Sequence, residues 1–194
     1  MTAEFSDEDW EGRDLGADSF ERATFVDVDM TEATSRGATF SDCTFRRVRF
    51  NASMHHASAF TNCTFSQCSF FDTTFEECKL IGSTFTRCTF TNLNVTGGDW
   101  SFVDISGQDI RKVSMAGVRM READLAAVRA EGASLRDLDL SGASFRAADF
   151  VGADLRGSDL TDLDPLSAQL RGARVTWQQA VQLTSSLGLD VVLD

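Results

Sequence analysis

Residues 63–78 read CTFSQCSFFDTTFEEC and place Phe65, Phe70 and Phe75 five residues apart. On an α-helix five residues advance a side chain by about 140° net, which scatters the rings around the cylinder. On a flat strand an odd spacing sends alternate rings to opposite faces. Neither ordinary element accounts for the spacing, so the period itself is the structural signal.

The period holds along most of the chain. Every fifth residue from Phe5 to Leu160 gives 32 positions, and 29 of them are large and apolar, the exceptions being Ser35, His55 and Ala130. Two residues before each lies a second column. There 26 of 32 residues are Ala, Cys, Ser, Thr, Gly or Val, and it contains all five cysteines, Cys43, Cys63, Cys68, Cys78 and Cys88. Mostly Thr, Ser and Asp stand between the columns. One large inward residue, one small inward residue and polar residues between them describe one short side of a coil whose interior is filled by alternating bulk. Successive sides turn and successive coils stack about 4.8 Å apart, each satisfying the backbone of the next. The expected fold is an all-β solenoid with two open ends that need capping.

Ala123-Asp124-Leu125, Ala153-Asp154-Leu155 and Ser158-Asp159-Leu160 resemble the A-(D/N)-L-x-x unit of the pentapeptide-repeat proteins. That resemblance implies a right-handed quadrilateral β-helix with four units per coil, hence about eight coils. The pairs Cys43/Cys63 and Cys68/Cys88, each spaced by twenty, agree with it.

The ends depart from the lattice. Glu8, Arg13 and Asp18 fall on three successive small-residue positions, which predicts a frayed first coil. Pro165 falls on a lattice position and has no N–H to give a ladder, which predicts a break, with winding resumed at Leu170 and Val175. The solenoid is therefore assigned to residues 1–175. For 176–194 the spacing predicts a capping helix: Thr176 as N-cap, a stripe of Trp177, Ala180, Val181, Thr184 and Leu187, and Gly188 as the stop, followed by an apolar tail from Leu189 to Leu193. Trp177, Val181, Leu183 and Leu187 offer more apolar surface than one terminal coil can cover, so this cap is expected to join a homodimer.

Composition narrows the function. No apolar run follows a basic segment near the N-terminus and no stretch approaches a membrane span, which predicts a cytoplasmic protein without a membrane partner. Five cysteines, an odd number, read as small hydrophobes in the core. No CxxC or His-rich spacing offers a metal site, and no phosphate loop or nucleophile elbow interrupts the lattice, so neither cofactor nor enzymatic activity is expected. His55 takes an inward position twenty residues after Ser35, predicting a Ser–His hydrogen bond inside the core.

The formal net charge of −12 is unevenly spread: −9 over residues 1–32, +2 over 33–94, −5 over 95–164 and 0 over 165–194. In the third region Asp104, Asp109, Asp124, Asp139, Asp149, Asp154 and Asp159 each stand just before a large inward residue, where short side chains are expected to project outward from a rigid wall. Duplex DNA carries a charge per about 1.7 Å. A charge of −12 over eight coils amounts to one per about 3.2 Å, roughly half that density. A nucleic-acid binder is disfavoured, because phosphate contacts need clustered positive charge.

Nearly the whole chain, including the ending LRGARVTWQQAVQLTSSLGL, is similar to the quinolone-resistance branch of the family, although the register from Phe20 to Leu160 has none of the loop insertions some members carry. That resemblance implies a dimeric rod of DNA-like width and charge that binds DNA gyrase, with the seven aspartates as phosphate surrogates and fluoroquinolone protection as the outcome. The alternative is an interaction scaffold, or an immunity-type protein of other specificity, using Phe71, Ile81 and Phe102, which lie outside both inward columns.

Overall fold

The computed structural model describes residues 3–192. Phe5 pairs with Phe25, Phe25 with Phe45, Phe45 with Phe65 and Phe65 with Phe85, always in parallel and always twenty residues on. The same step joins Phe20 to Phe40 and Phe60. On another side it joins Ser35 to His55, Phe75 and Val95. A fourth side is held by single bridges, Asp9 to Asp29, Arg49, Ser69 and Thr89. Four sides of five residues thus make each coil. Along the side of Phe5, seven such steps stack eight levels, ending with the bridges Thr84–Asp104–Asp124–Ser144.

Most corners are made by a residue two after the lattice position, in the left-handed region: Asp27, Arg47, Gln67 and Arg87 on one edge have φ between 54 and 57°. At Gly98 glycine is required for a second reason, since a Cβ there would meet the Cys78 carbonyl oxygen at 2.0 Å.

The core is the two inward columns. Rings stack down the sides with centroids 4.8 Å apart for Phe25/Phe45 and Phe45/Phe65, and 4.6 Å for Phe40/Phe60. Hydroxyls and thiols in the small column donate to the lattice carbonyl one coil back, as Ser83 Oγ does to Phe60 O at 2.7 Å and Cys63 Sγ to Phe40 O at 3.3 Å. All five cysteines are free and buried. Burial lifts the Cys78 thiol to about 11. The hydrogen bond from the stacked Cys43 thiol, with burial, raises Cys63, and Cys88 does the same for Cys68.

His55 replaces a ring in one stack, lying over Phe75 at 5.1 Å. Its Nδ1 is 2.8 Å from Ser35 Oγ, the Ser–His contact the spacing predicts, and its Nε2 is 3.1 Å from Ser53 Oγ. Ser53 Oγ already donates to Phe50 O, so it accepts from Nε2–H, and Nδ1 accepts from Ser35. Full burial holds this neutral ring's pKa down at about 4.

Pro165 breaks the winding. The ladder on its side ends at Ser144, and register returns with the bridges Asp149–Gln169 and Asp154–Arg174. The first coil, by contrast, is wound and not frayed: Glu4–Ser6 pairs along its length with Thr24–Val26. Glu8, Arg13 and Asp18 occupy small-residue positions on the first described coil, beyond which no coil stacks among the described residues. Glu8 accepts from the Trp10 indole at 2.6 Å, Arg13 lies 4.1 Å over the Trp10 ring, and Arg13 pairs with Asp18 at 3.6 Å. They form a polar lid on the open end, a role that fits the need to cap a solenoid.

Among the described residues no helix is long and apolar enough to cross a membrane.

Candidate functional site

The residue before a lattice position starts a turn. When it is Asp, its Oδ1 accepts the N–H two residues on, and this local bond sets where the carboxylate lies. Asp104, Asp124, Asp149 and Asp159 accept from Ser106, Ala126, Val151 and Thr161 at 2.9 to 3.0 Å. Asp109, Asp139 and Asp154 make the same contact with Arg111, Ser141 and Arg156 at 3.3 to 3.4 Å. All seven are half-buried. The expected outward projection is therefore replaced by side chains folded against the wall, each with one oxygen committed to the backbone.

The second oxygen divides the seven. Asp109 pairs with Arg111 at 2.6 Å and Arg129 at 2.8 Å, Asp139 with Arg121 at 2.6 Å, and Asp154 with Arg156 at 2.6 Å and Arg174 at 3.6 Å. The Arg156 contact holds Asp154 at about 2, and the Arg111 contact lowers Asp109. Burial raises Asp139, but Arg121 and Ser141 outweigh it and leave it below the usual range. Asp104, Asp124, Asp149 and Asp159 have no basic side chain within ion-pairing distance among the described residues. Asp104 and Asp124 are bridged neighbours on the side of Phe5. By the twenty-residue step, Asp109 and Asp149 belong to the side of Trp10, Asp154 to that of Leu15, and Asp139 and Asp159 to that of Phe20. The carboxylates wrap the rod instead of lining one wall.

The apolar candidates do not converge either. Phe71 and Phe102 are half exposed, at 50% and 54%, whereas Ile81 is half-buried. Ile81 and Phe102 share one edge a coil apart, and Phe71 lies on the diagonally opposite edge.

At the C-terminal end a helix spans Trp177–Ser186. Thr176 caps it in a reciprocal box with Gln179, and Gly188, at φ 78°, ends it as expected. The side set against the last coil is not the apolar stripe. Buried Gln179 donates its Nε2 to the carbonyls of Leu155 and Ser158, both at 2.7 Å, and Gln182 Nε2 donates to Thr161 Oγ1 at 2.7 Å. A carboxamide there satisfies carbonyls that another coil would have bonded. Leu183 packs on the core and Val181 is half-buried, while Trp177 (66%) and Leu187 (46%) are exposed beside Leu189 and Val192. Leu193 of the expected tail lies outside the described residues.

Sequence reasoning missed two residues, Gln179 and Gln108. The Gln three residues after the N-cap Thr176, as in a capping box, was the signal for the first. For the second it was a long side chain in a column of small ones.

Residues 123–162 match the family model of Pentapeptide repeats in 8 copies, and residues 12–90 match that of the SV2A/B/C luminal domain. Among curated proteins none matches this sequence. Solved structures include a trypsin-treated variant of QnrB1, described as a plasmid-mediated fluoroquinolone resistance protein. It is similar with a TM-score of 0.77 and 23% identity, over 99% of each chain. Full-length QnrB1 gives 0.63 and 21% identity, over 97% of this chain and 99% of that one. At these identities the likeness is one of fold.

Proposed function

We propose, from the repeat match over residues 123–162 and the fold, that this chain is a pentapeptide-repeat protein and a non-enzymatic, cytoplasmic DNA mimic that binds DNA gyrase. In this reading it modulates or inhibits the enzyme and protects it from fluoroquinolones. The observation that carries the reading is the end-to-end match of the rod to QnrB1 at a TM-score of 0.77. The acidic exterior supports it, with a net charge of −12 fixed on a rigid scaffold.

The mimicry rests most heavily on Asp104, Asp124, Asp149 and Asp159, whose charge no guanidinium cancels nearby. Asp109, Asp139 and Asp154 act with their arginines as paired, weaker features. The rod works as a homodimer joined through the helices, because Trp177, Leu187, Leu189 and Val192 leave an apolar end that a two-fold contact would cover. That arrangement sets the acidic C-terminal coils of both copies around the axis.

Capture of purified gyrase subunits on the immobilised protein, with linear duplex DNA as competitor, tests the reading. Duplex is expected to displace gyrase. Capture indifferent to duplex but abolished by Phe71→Ala or Phe102→Ala would replace mimicry by the apolar scaffold.

A further inference from the structure

On the side of Trp10 the coils are zipped by a repeated pair of bonds. Phe70 N–H donates to Thr89 O, Ile110 N–H to Arg129 O and Ala130 N–H to Asp149 O, while Thr89 and Arg129 donate back to Cys68 O and Gln108 O. Between the coil of Phe90 and that of Ile110 the zip is open. Among the described residues neither Phe90 N–H nor Asp109 N–H has a partner, and no bridge joins Thr89 to Asp109.

The cause is local and steric. Gln108 stands in the small-residue column and puts its Oε1, at 3.1 Å, on the Cys88 N–H. Leu93, equally oversized for that column, sits at the next corner, where the register shifts between Thr91 and Leu93. The corner itself flattens. Asn92 and Gly132, on the coils before and after, are left-handed at φ 56 and 72°, whereas Lys112, the first residue of the strand Lys112–Ala116, is not.

The opening is a cleft of about 670 Å³ lined by Phe90, Thr91, Asp109, Lys112, Arg129 and Glu131, with Arg111 on its rim. Asp109 is held by both arginines, so it is neutralised in place. Lys112 has no carboxylate within ion-pairing distance among the described residues. In a chain of net charge −12 the cleft sums to +1, from three cations and two carboxylates. One carboxylate oxygen of Glu131 is buried without a hydrogen-bond partner.

We propose that this breach binds a small oxyanion that also carries a proton, with hydrogen phosphate as the type. Two unpartnered backbone amides and an unpaired ammonium on the lining of one cleft supply the donor types by which backbone nests and Lys hold phosphate. The orphan oxygen of Glu131 accepts the anion's O–H, which accounts for a carboxylate in an anion site. Inorganic phosphate and, near its second pKa of about 6, the monoanion of a nucleoside 5′-monophosphate share this chemistry.

Titration of the ¹⁵N-labelled full chain, read at the Phe90 and Asp109 amides, separates the cases. Saturation by inorganic phosphate assigns a free-ion site, and saturation by the monophosphate alone assigns an ester-borne group. Sulfate, which has no proton at neutral pH, is expected to bind at least about tenfold more weakly. Lys112→Gln should weaken phosphate by about tenfold or more. Gln108→Ala, which removes the wedge, should close the zip, slow hydrogen exchange at both amides and abolish binding. Shifts that never saturate, indifference to Lys112→Gln, or sulfate binding as well as phosphate would overturn the assignment.

Discussion

From Ser19 to Thr86 the residue before each inward ring is most often Thr, and the wall runs in three-residue strands such as Thr24–Val26, Thr44–Arg46 and Thr64–Ser66. From Asp99 to Asp159 it is most often Asp, and the inward residue that follows accepts, at its carbonyl, the N–H three residues on, which closes a turn. Val103 to Trp100, Val128 to Leu125 and Ala153 to Phe150 are examples. A β-branched side chain favours the extended wall, and a carboxylate that bonds its own backbone favours the turn. The core changes with the wall, from stacked Phe to Leu, Ile and Met. One lattice therefore tolerates two local chemistries. The second leaves a carboxylate at most of these turns, so the charge of the C-terminal half is a by-product of how its turns close as well as a candidate binding surface.

The largest contrast should be in the core. Phe65 is stacked between Phe45 and Phe85 at 4.8 and 4.7 Å, whereas Leu125, on the same side, carries no ring and stands between Ile105 and Phe145. Phe65→Ala is expected to cost about 4 to 5 kcal/mol and Leu125→Ala about 3, because aromatic contacts add to the cavity term. Urea unfolding of both variants checks this, and equal losses would erase the distinction between the halves.

His55 gives the Phe-rich half a pH dependence that the other half lacks. Its pKa is about 4 when folded, against 6.5 for an unperturbed ring, so between those values the unfolded chain binds a proton that the folded chain does not. Stability is complete above about pH 6.5 and falls by roughly 3 kcal/mol as pH drops toward 4. Asp29 and Asp154, held at about 2 by Arg49 and Arg156, lose their contribution only at lower pH still. His55→Phe should remove the upper slope and leave the lower one. A slope unchanged in that variant would place its origin elsewhere.

At the turns, Asp104→Ala should cost about 1 kcal/mol by removing the acceptor for Ser106 N–H, while Asp104→Asn, whose amide oxygen can accept the same bond, should stay within a few tenths. The smallest expected effect is chemical. All five thiols should resist a thiol reagent until the chain unfolds, since each is buried. Cys88, the least covered at 8% beside the open zip, should be the first to react.

The lattice, the inward cysteines, the Ser35–His55 contact, the break at Pro165 and the helix from Thr176 to Gly188 were legible in the sequence. Each follows from period or from a single residue's backbone needs. The polar lid of Glu8, Arg13 and Asp18 was not, because a charged residue on an inward position reads as disorder unless one knows that no coil lies beyond it. The orientation of the helix was lost for a similar reason: what it must satisfy is a row of carbonyls, so glutamine faces inward and tryptophan outward. The aspartates were found by position, but arginines two, eighteen or twenty residues away in sequence determine which of them are paired and which present a bare charge.

The most direct test of the electrostatic account is the affinity for gyrase measured across salt concentrations, for the parent and for the chain carrying Asp104→Asn, Asp124→Asn, Asp149→Asn and Asp159→Asn together. Asn keeps each turn bond, so the fold should survive. The account predicts that parent binding weakens steadily as salt rises and that the fourfold variant binds more weakly with a shallower salt dependence. The same substitution at Asp9, with Glu11→Gln, should change little. A fourfold variant that binds like the parent at every salt concentration would contradict it.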